Sequence, residues 1–201
     1  EASGVRGLFY GVQGYLRLLR SGALKPDLDL REEPAFGIRM INHWDNMDGS
    51  IERGYSGRSF FFRDGEILGS ERIEDYARML ASLGINYVAI NNVNVDRAAS
   101  FLITDKHYAE LRRVFGVLTA YGVRPALSIN YASPMELGGL ETADPLDPCV
   151  IAWWEAKAQE LRRELPELGA VVIKADSEGR PGPFTYGRTQ AEGANVVARA
   201  L

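Results

Sequence analysis

Ile85-Asn86-Tyr87-Val88-Ala89-Ile90-Asn91-Asn92-Val93-Asn94, residues 85–94, opens as an apolar run and closes on a cluster of asparagines. The run is nearly continuous rather than alternating, as expected of a strand covered on both faces. The same pattern recurs three times. Residues 36–41 lead into Asn42-His43-Trp44-Asp45-Asn46, residues 123–130 into Asn130-Tyr131, and residues 170–174 into Lys174-Ala175-Asp176-Ser177-Glu178. Four buried strands, each ending in polar side chains, are the expectation.

The intervals between these runs change period. Ile73, Tyr76, Ala77, Leu80 and Leu83 share one helical face, as do Tyr108, Leu111, Phe115 and Leu118, and then Ile151, Trp154, Ala158, Leu161 and Leu165. Ser70 supplies a start signal for the first helix, and Gly84, Gly122 and Gly169 read as stop signals for the three. The order is therefore β-α-β-α-β-α-β on a parallel sheet. Farther out, Leu8, Val12, Tyr15, Leu16 and Leu19 predict an amphipathic lead-in helix, followed by a polar connector over residues 21–33 and Pro34. Residues 191–201 turn helical again.

Right-handed parallel units build either an open doubly wound sheet or a barrel. No Gly-rich phosphate loop follows the first strand, and every strand ends in polar residues, which suits a barrel that assembles its site from all strand ends together. A whole (β/α)8 TIM barrel takes about 250 residues, so about four units amount to its first half. The organisation expected is α/β, with a helical lead-in and connector at residues 1–35 and a partial barrel at residues 36–201.

Composition narrows the chemistry. The 201 residues are 46% hydrophobic and 25% charged, with a net charge of −4 and a pI near 5.3, the balance of a soluble globular protein. Nucleic acid and anionic membrane surfaces are poor partners for such a chain, because phosphate binding needs concentrated Lys and Arg. Residues 5–19 are broken by charges and glycines, so neither a signal peptide nor a membrane span is expected. The compartment stays open. Cys149 is the single cysteine and His43 and His107 the only histidines, too few for a metal cluster; no metal and no cofactor are expected.

Lys174-Ala-Asp-Ser-Glu-Gly-Arg-Pro-Gly-Pro, residues 174–183, is the richest chemical stretch. If the strand stays extended, Lys174, Asp176 and Glu178 project to one side, and a half-buried carboxyl near a cation has the two opposing influences that tune a catalytic acid. A structural ion pair is the plain alternative. Trp44 suits either sugar stacking or packing, His43 either a substrate contact or a hydrogen-bonded core role, and Asn91, Asn92 and Asn94 either hydroxyl binding or loop capping.

Three stretches together carry a family resemblance. Ile-Asn-His-Trp-Asp-Asn-Met-Asp-Gly-Ser-Ile-Glu-Arg-Gly-Tyr at residues 41–55, Ile85-Asn86 with Ile90-Asn91-Asn92-Val93-Asn94, and residues 174–183 with Tyr186-Gly-Arg-Thr and Gly193-Ala-Asn resemble the α-glucuronidases of glycoside hydrolase family 67. The match runs in order over most of residues 4–198. It implies removal of glucuronic acid, or its 4-O-methyl form, from the non-reducing-end xylose of glucuronoxylan oligosaccharides with inversion.

By the same resemblance Glu178 is the general acid, Lys174 contacts the sugar carboxylate, and Trp44 and Val93 line the pocket around the 4-position. The paired carboxylates that activate water fall beyond Leu201, and a homodimer is among the assemblies open to the full-length parent. Gln190 departs from the pattern, which has histidine there. Two other classes compete: a Schiff-base enzyme using Lys174, and a non-catalytic carbohydrate-binding or inactive fragment.

Overall fold

The computed structural model describes residues 4–69, 71–176 and 179–201. Helix α1 (Val5–Arg20) precedes strand β1 (Met40–Asn42), a short hairpin of β2 (Phe62–Arg63) and β3 (Glu66–Ile67), and helix α2 (Glu71–Ser82). Strand β4 (Tyr87–Ala89) is followed by α3 (Arg97–Ser100), a 3-10 turn at Phe101–Ile103, α4 (Tyr108–Ala120) and β5 (Arg124–Asn130). Then come α5 (Ser133–Glu136), α6 (Pro148–Glu164), β6 (Ala170–Lys174), a 3-10 turn at Pro183–Tyr186 and α7 (Gln190–Ala200).

Strands β1, β4, β5 and β6 form one parallel sheet in that spatial order, curled as in half of a barrel. Each strand lies beside its predecessor in the parallel set, as the repeated pattern predicts. The register pairs Ile41 with Val88, Val88 with Pro125, and Asn130 with Lys174.

One side of the sheet packs on helices. Val88, Leu127 and Ile129, with partly buried Val171 and Ile173, join Ile73, Leu80, Leu111, Phe115, Leu118, Trp154 and Leu161 in a single core. A fully buried side chain of this size contributes about 1.5–3 kcal/mol by leaving water, so this layer anchors the sheet and leaves its other face to carry chemistry.

Two glycines make the helix-to-strand turns. Gly84 and Gly122 both sit at φ +74, and the residues after them, Ile85 and Val123, donate back to Leu80 and Leu118 at 3.0 and 3.1 Å. This is the bonding of a helix closed by a left-handed residue, where a Cβ would be strained. Gly169 differs from the stop signal expected of it. Helix α6 has ended at Glu164, and a Cβ on Gly169 would come 2.7 Å from Arg124 Cβ, so glycine is there to let the chain pass β5.

The sequence expectation also needs correcting at the first strand. Residues 36–41 do not form a buried strand: the strand is Met40–Asn42, while Phe36 and Ile38 are 72% and 65% exposed. Strand β6 is half-buried along its length rather than covered on both faces. The Ser70 start signal lies outside the described residues.

Candidate functional site

Side chains alternate along a strand, so the residues between those that meet the helices face the concave side. On β5, Leu127 and Ile129 enter the core, which turns Ser128 and Asn130 the other way; on β6, Val171 and Ile173 do so, which turns Val172 and Lys174. Asn130 and Lys174 are register partners. They therefore stand side by side at the C-terminal edge of the sheet.

Lys174 gathers the strand ends. Its ammonium donates to Asn94 Oδ1, beyond β4, and lies 6.0 Å from the ring centroid of Trp44, beyond β1. Cation and indole face are attracted at this range through the ring quadrupole. The contact bridges the concave side from one edge strand to the other. A shallow open cleft adjoins it, lined by Val93, Asn94, Asn130, Lys174, Asp176 and Arg180 among others. Trp44, Val93 and Lys174 thus come together at one end of the sheet, while Glu178 lies outside the described residues.

The chain leaves the extended conformation soon after β6. Asp176 has φ +53, so the extended course expected to continue from Lys174 ends at Asp176. The Asp176 carboxylate accepts instead from Phe184 N–H at 3.2 Å and from Gln190 Nε2 at 2.6 Å. Gln190, the departure from the family pattern, still supplies a donor that ties α7 to this loop. Arg180 donates to Glu136 at 2.6 Å, and Glu136 accepts from Ser100 at 2.7 Å, which fastens the same loop to α5 and α3.

Farther along, Arg188 grips Asp144 through two bonds of 2.9 Å. These bonds hold the Asp144 carboxyl below the usual carboxylate range.

Other strand-end residues are held in side-chain networks. His43 bonds Tyr76 Oη at 2.6 Å and Asp45 at 3.3 Å, and packs edge-on against Phe60 and Phe61. Burial, and then the charge of Asp45, pushes the Tyr76 hydroxyl up to about 12. Asp45 is buried and also accepts from Ser59. This network fixes the residues on both sides of Trp44, whose own carbonyl accepts from Glu52 N–H at 2.8 Å.

Asn91 clamps β5 through Ser128 N–H and C=O at 2.8 and 3.0 Å. Asn92 donates to Asn46 at 2.8 Å and accepts from Asn94 N–H at 2.9 Å. Of the three asparagines, only Asn94 reaches Lys174 by a side-chain bond. Among the described residues no group of three or more His, Cys, Asp or Glu side chains could hold a metal ion, and no helix is long and apolar enough to cross a membrane.

Comparison with known proteins gives the architecture a family. Residues 18–201 match the glycosyl hydrolase family 67 middle domain. The chain is 48% identical over 197 residues to "Probable alpha-glucuronidase A" of Aspergillus oryzae, and 46% identical to "Alpha-glucuronidase A" of Aspergillus tubingensis. Each alignment covers 98% of this chain and 23% of the relative, so the chain spans under a quarter of their length. With the match extending over nearly all of its residues, this chain belongs to glycosyl hydrolase family 67, in its middle domain.

Proposed function

We propose that this chain is the first half of the (β/α)8 catalytic barrel of an α-glucuronidase. The enzyme removes glucuronic acid, or its 4-O-methyl form, from glucuronoxylan oligosaccharides with inversion. The observation that carries the reading is the meeting of Lys174, Trp44 and Asn94 over a cleft at the C-terminal ends of parallel strands. A cation beside an indole face can hold an acidic sugar by charge and by stacking on its ring.

In this reading Lys174 contacts the uronate carboxylate, and Trp44 and Val93 line the pocket around the sugar's 4-position. Glu178 donates a proton to the glycosidic oxygen as the xylose departs. Inversion needs a second carboxylate, roughly 6.5–9.5 Å across the bond, to deprotonate a water on the opposite face. The remaining length of the parent supplies it. A carboxyl acid near a lysine is tuned in both directions, burial favouring the proton and the cation opposing it.

The test is made in the full-length parent. General acid catalysis contributes about 10²–10⁴-fold in rate, and it matters most when the leaving group is a poor one. Glu178→Ala should slow hydrolysis of an aldouronic oligosaccharide by about that factor, yet slow an activated aryl α-glucuronide far less. Lys174→Ala should impair both, chiefly through KM, because the carboxylate is common to both. Equal fractional losses on the two substrates for Glu178→Ala, or near wild-type turnover of the oligosaccharide, would remove Glu178 from the role of acid.

A further inference from the structure

Asn130 ends β5, buried at 5% exposure on the wall of the cleft. Its Oδ1 accepts from Ala132 N–H at 3.0 Å. A backbone amide only donates, so this bond fixes which end of the side chain is oxygen. Nδ2 therefore carries the two N–H groups, and it is buried without a hydrogen-bond partner among the described residues. A buried donor without a partner is costly, and an acceptor brought by a ligand satisfies it.

The neighbours define that acceptor. Lys174 is the register partner of Asn130 and carries a positive charge on the same face. Among the described residues the side-chain acceptors lining the cleft already have donors: Asn94 Oδ1 accepts from Lys174, Asn130 Oδ1 from Ala132 N–H, and Asp176 from Phe184 N–H and Gln190. Arg180 is turned to Glu136. Among the described residues, the wall around Asn130 presents the Lys174 ammonium and this directed N–H, a pair complementary to an anionic oxygen, with the Asp176 carboxylate farther along the lining bonded to Phe184 and Gln190.

We infer that Asn130 is a further substrate-contacting residue, its side-chain amide donating to the carboxylate of the bound uronic acid beside Lys174. The inference rests on the α-glucuronidase reading above and adds a contact to it. Lys174 supplies charge with little direction, whereas a planar amide fixes the angle at which a carboxylate sits.

Asn130→Asp is the informative variant. It keeps the oxygen that accepts from Ala132 and replaces only the NH2 by a second oxygen, which repels a carboxylate. In the full-length enzyme, calorimetric titration with D-glucuronic acid should show affinity reduced at least about tenfold, as for a lost hydrogen bond to a charged group. The loss should be smaller for the methyl ester of the same sugar, with the thermal transition retained. A folded variant that binds both ligands as the wild type does overturns the inference, and an equal loss on acid and ester overturns the carboxylate assignment. If the wild type itself binds no glucuronic acid, the α-glucuronidase reading fails first and this contact with it.

Should the Asp variant not fold, a structure of the wild type with D-glucuronic acid decides. A carboxylate oxygen within about 3.2 Å of Nδ2 supports the assignment, and an Nδ2 turned away from the sugar overturns it.

Discussion

His107 is buried at the head of α4, and its Nε2 has no partner among the described residues. Burial, with Lys106 adding to it and Glu110 opposing, lowers its pKa from the usual 6.5. Below pH 6.5 the unfolded chain binds this proton more readily than the folded one, so the His107 contribution is complete above that pH and falls away as pH drops toward the folded value. Urea unfolding at pH 7.5 and 5.5 should show the wild type losing stability on acidification, and His107→Leu losing less.

Single residues were unevenly legible in the sequence. The cluster around Trp44 and Lys174 was readable because polar side chains at strand ends converge in any parallel α/β architecture. The division of labour within it was not. His43 and Asn91 have the residue types of ligand contacts, and only three-dimensional neighbours such as Tyr76, Asp45 and Ser128 reveal them as struts. Asn130 is legible as a polar strand end, but its unpaired N–H is not, because that depends on which way its amide is turned.

Among the elements, α7 is the best marked. Thr189 accepts from Glu192 N–H at 3.2 Å while the Glu192 carboxylate accepts from Thr189 N–H at 2.7 Å, a reciprocal capping box. The bond to Thr189 holds the Glu192 carboxyl below its usual range. Thr189→Ala should destabilise the fold by about 1 kcal/mol, with amide exchange rising first in the opening turn of α7. The helix also depends on Gly193, where a Cβ would come 2.2 Å from Pro183 Cγ.

The long helices α1, α2, α4, α6 and α7 are legible because each runs for eleven or more residues, whereas α3 and α5 are four residues long and show no period, and residues 36–41 read as a buried strand because Phe36 and Ile38 are apolar without being covered. The β2–β3 hairpin escaped although Asp64-Gly65, both at positive φ, is a strong turn signal. Its strands are two residues long and leave no period to read.

At the scale of the whole molecule, the surface is not uniformly polar. Helix α1 packs one side near α2, with Phe9 against the core, and turns Val5, Leu8, Val12, Tyr15 and Leu19 outward in a stripe. Strands β1 and β6 each have one open edge within the sheet. Exposed apolar stripes and unpaired strand edges both favour association. Light scattering on these 201 residues alone should report species larger than a monomer, and Leu8→Lys with Val12→Lys should shift the distribution toward the monomer. An unchanged distribution would direct attention to the strand edges instead.

The spatial order of the sheet follows the order of the sequence, β1, β4, β5, β6, and this bears on how the chain is made as well as on how it stands. A ribosome releases each strand after the one it will lie against, so every nascent unit finds its docking surface already in place. Within this sheet each new strand pairs with the one made just before it, which limits the wait for a distant partner that slows folding and exposes sheet edges to aggregation. Translation and assembly can therefore proceed in the same direction, with Trp44 emerging early and Lys174 arriving last to meet it.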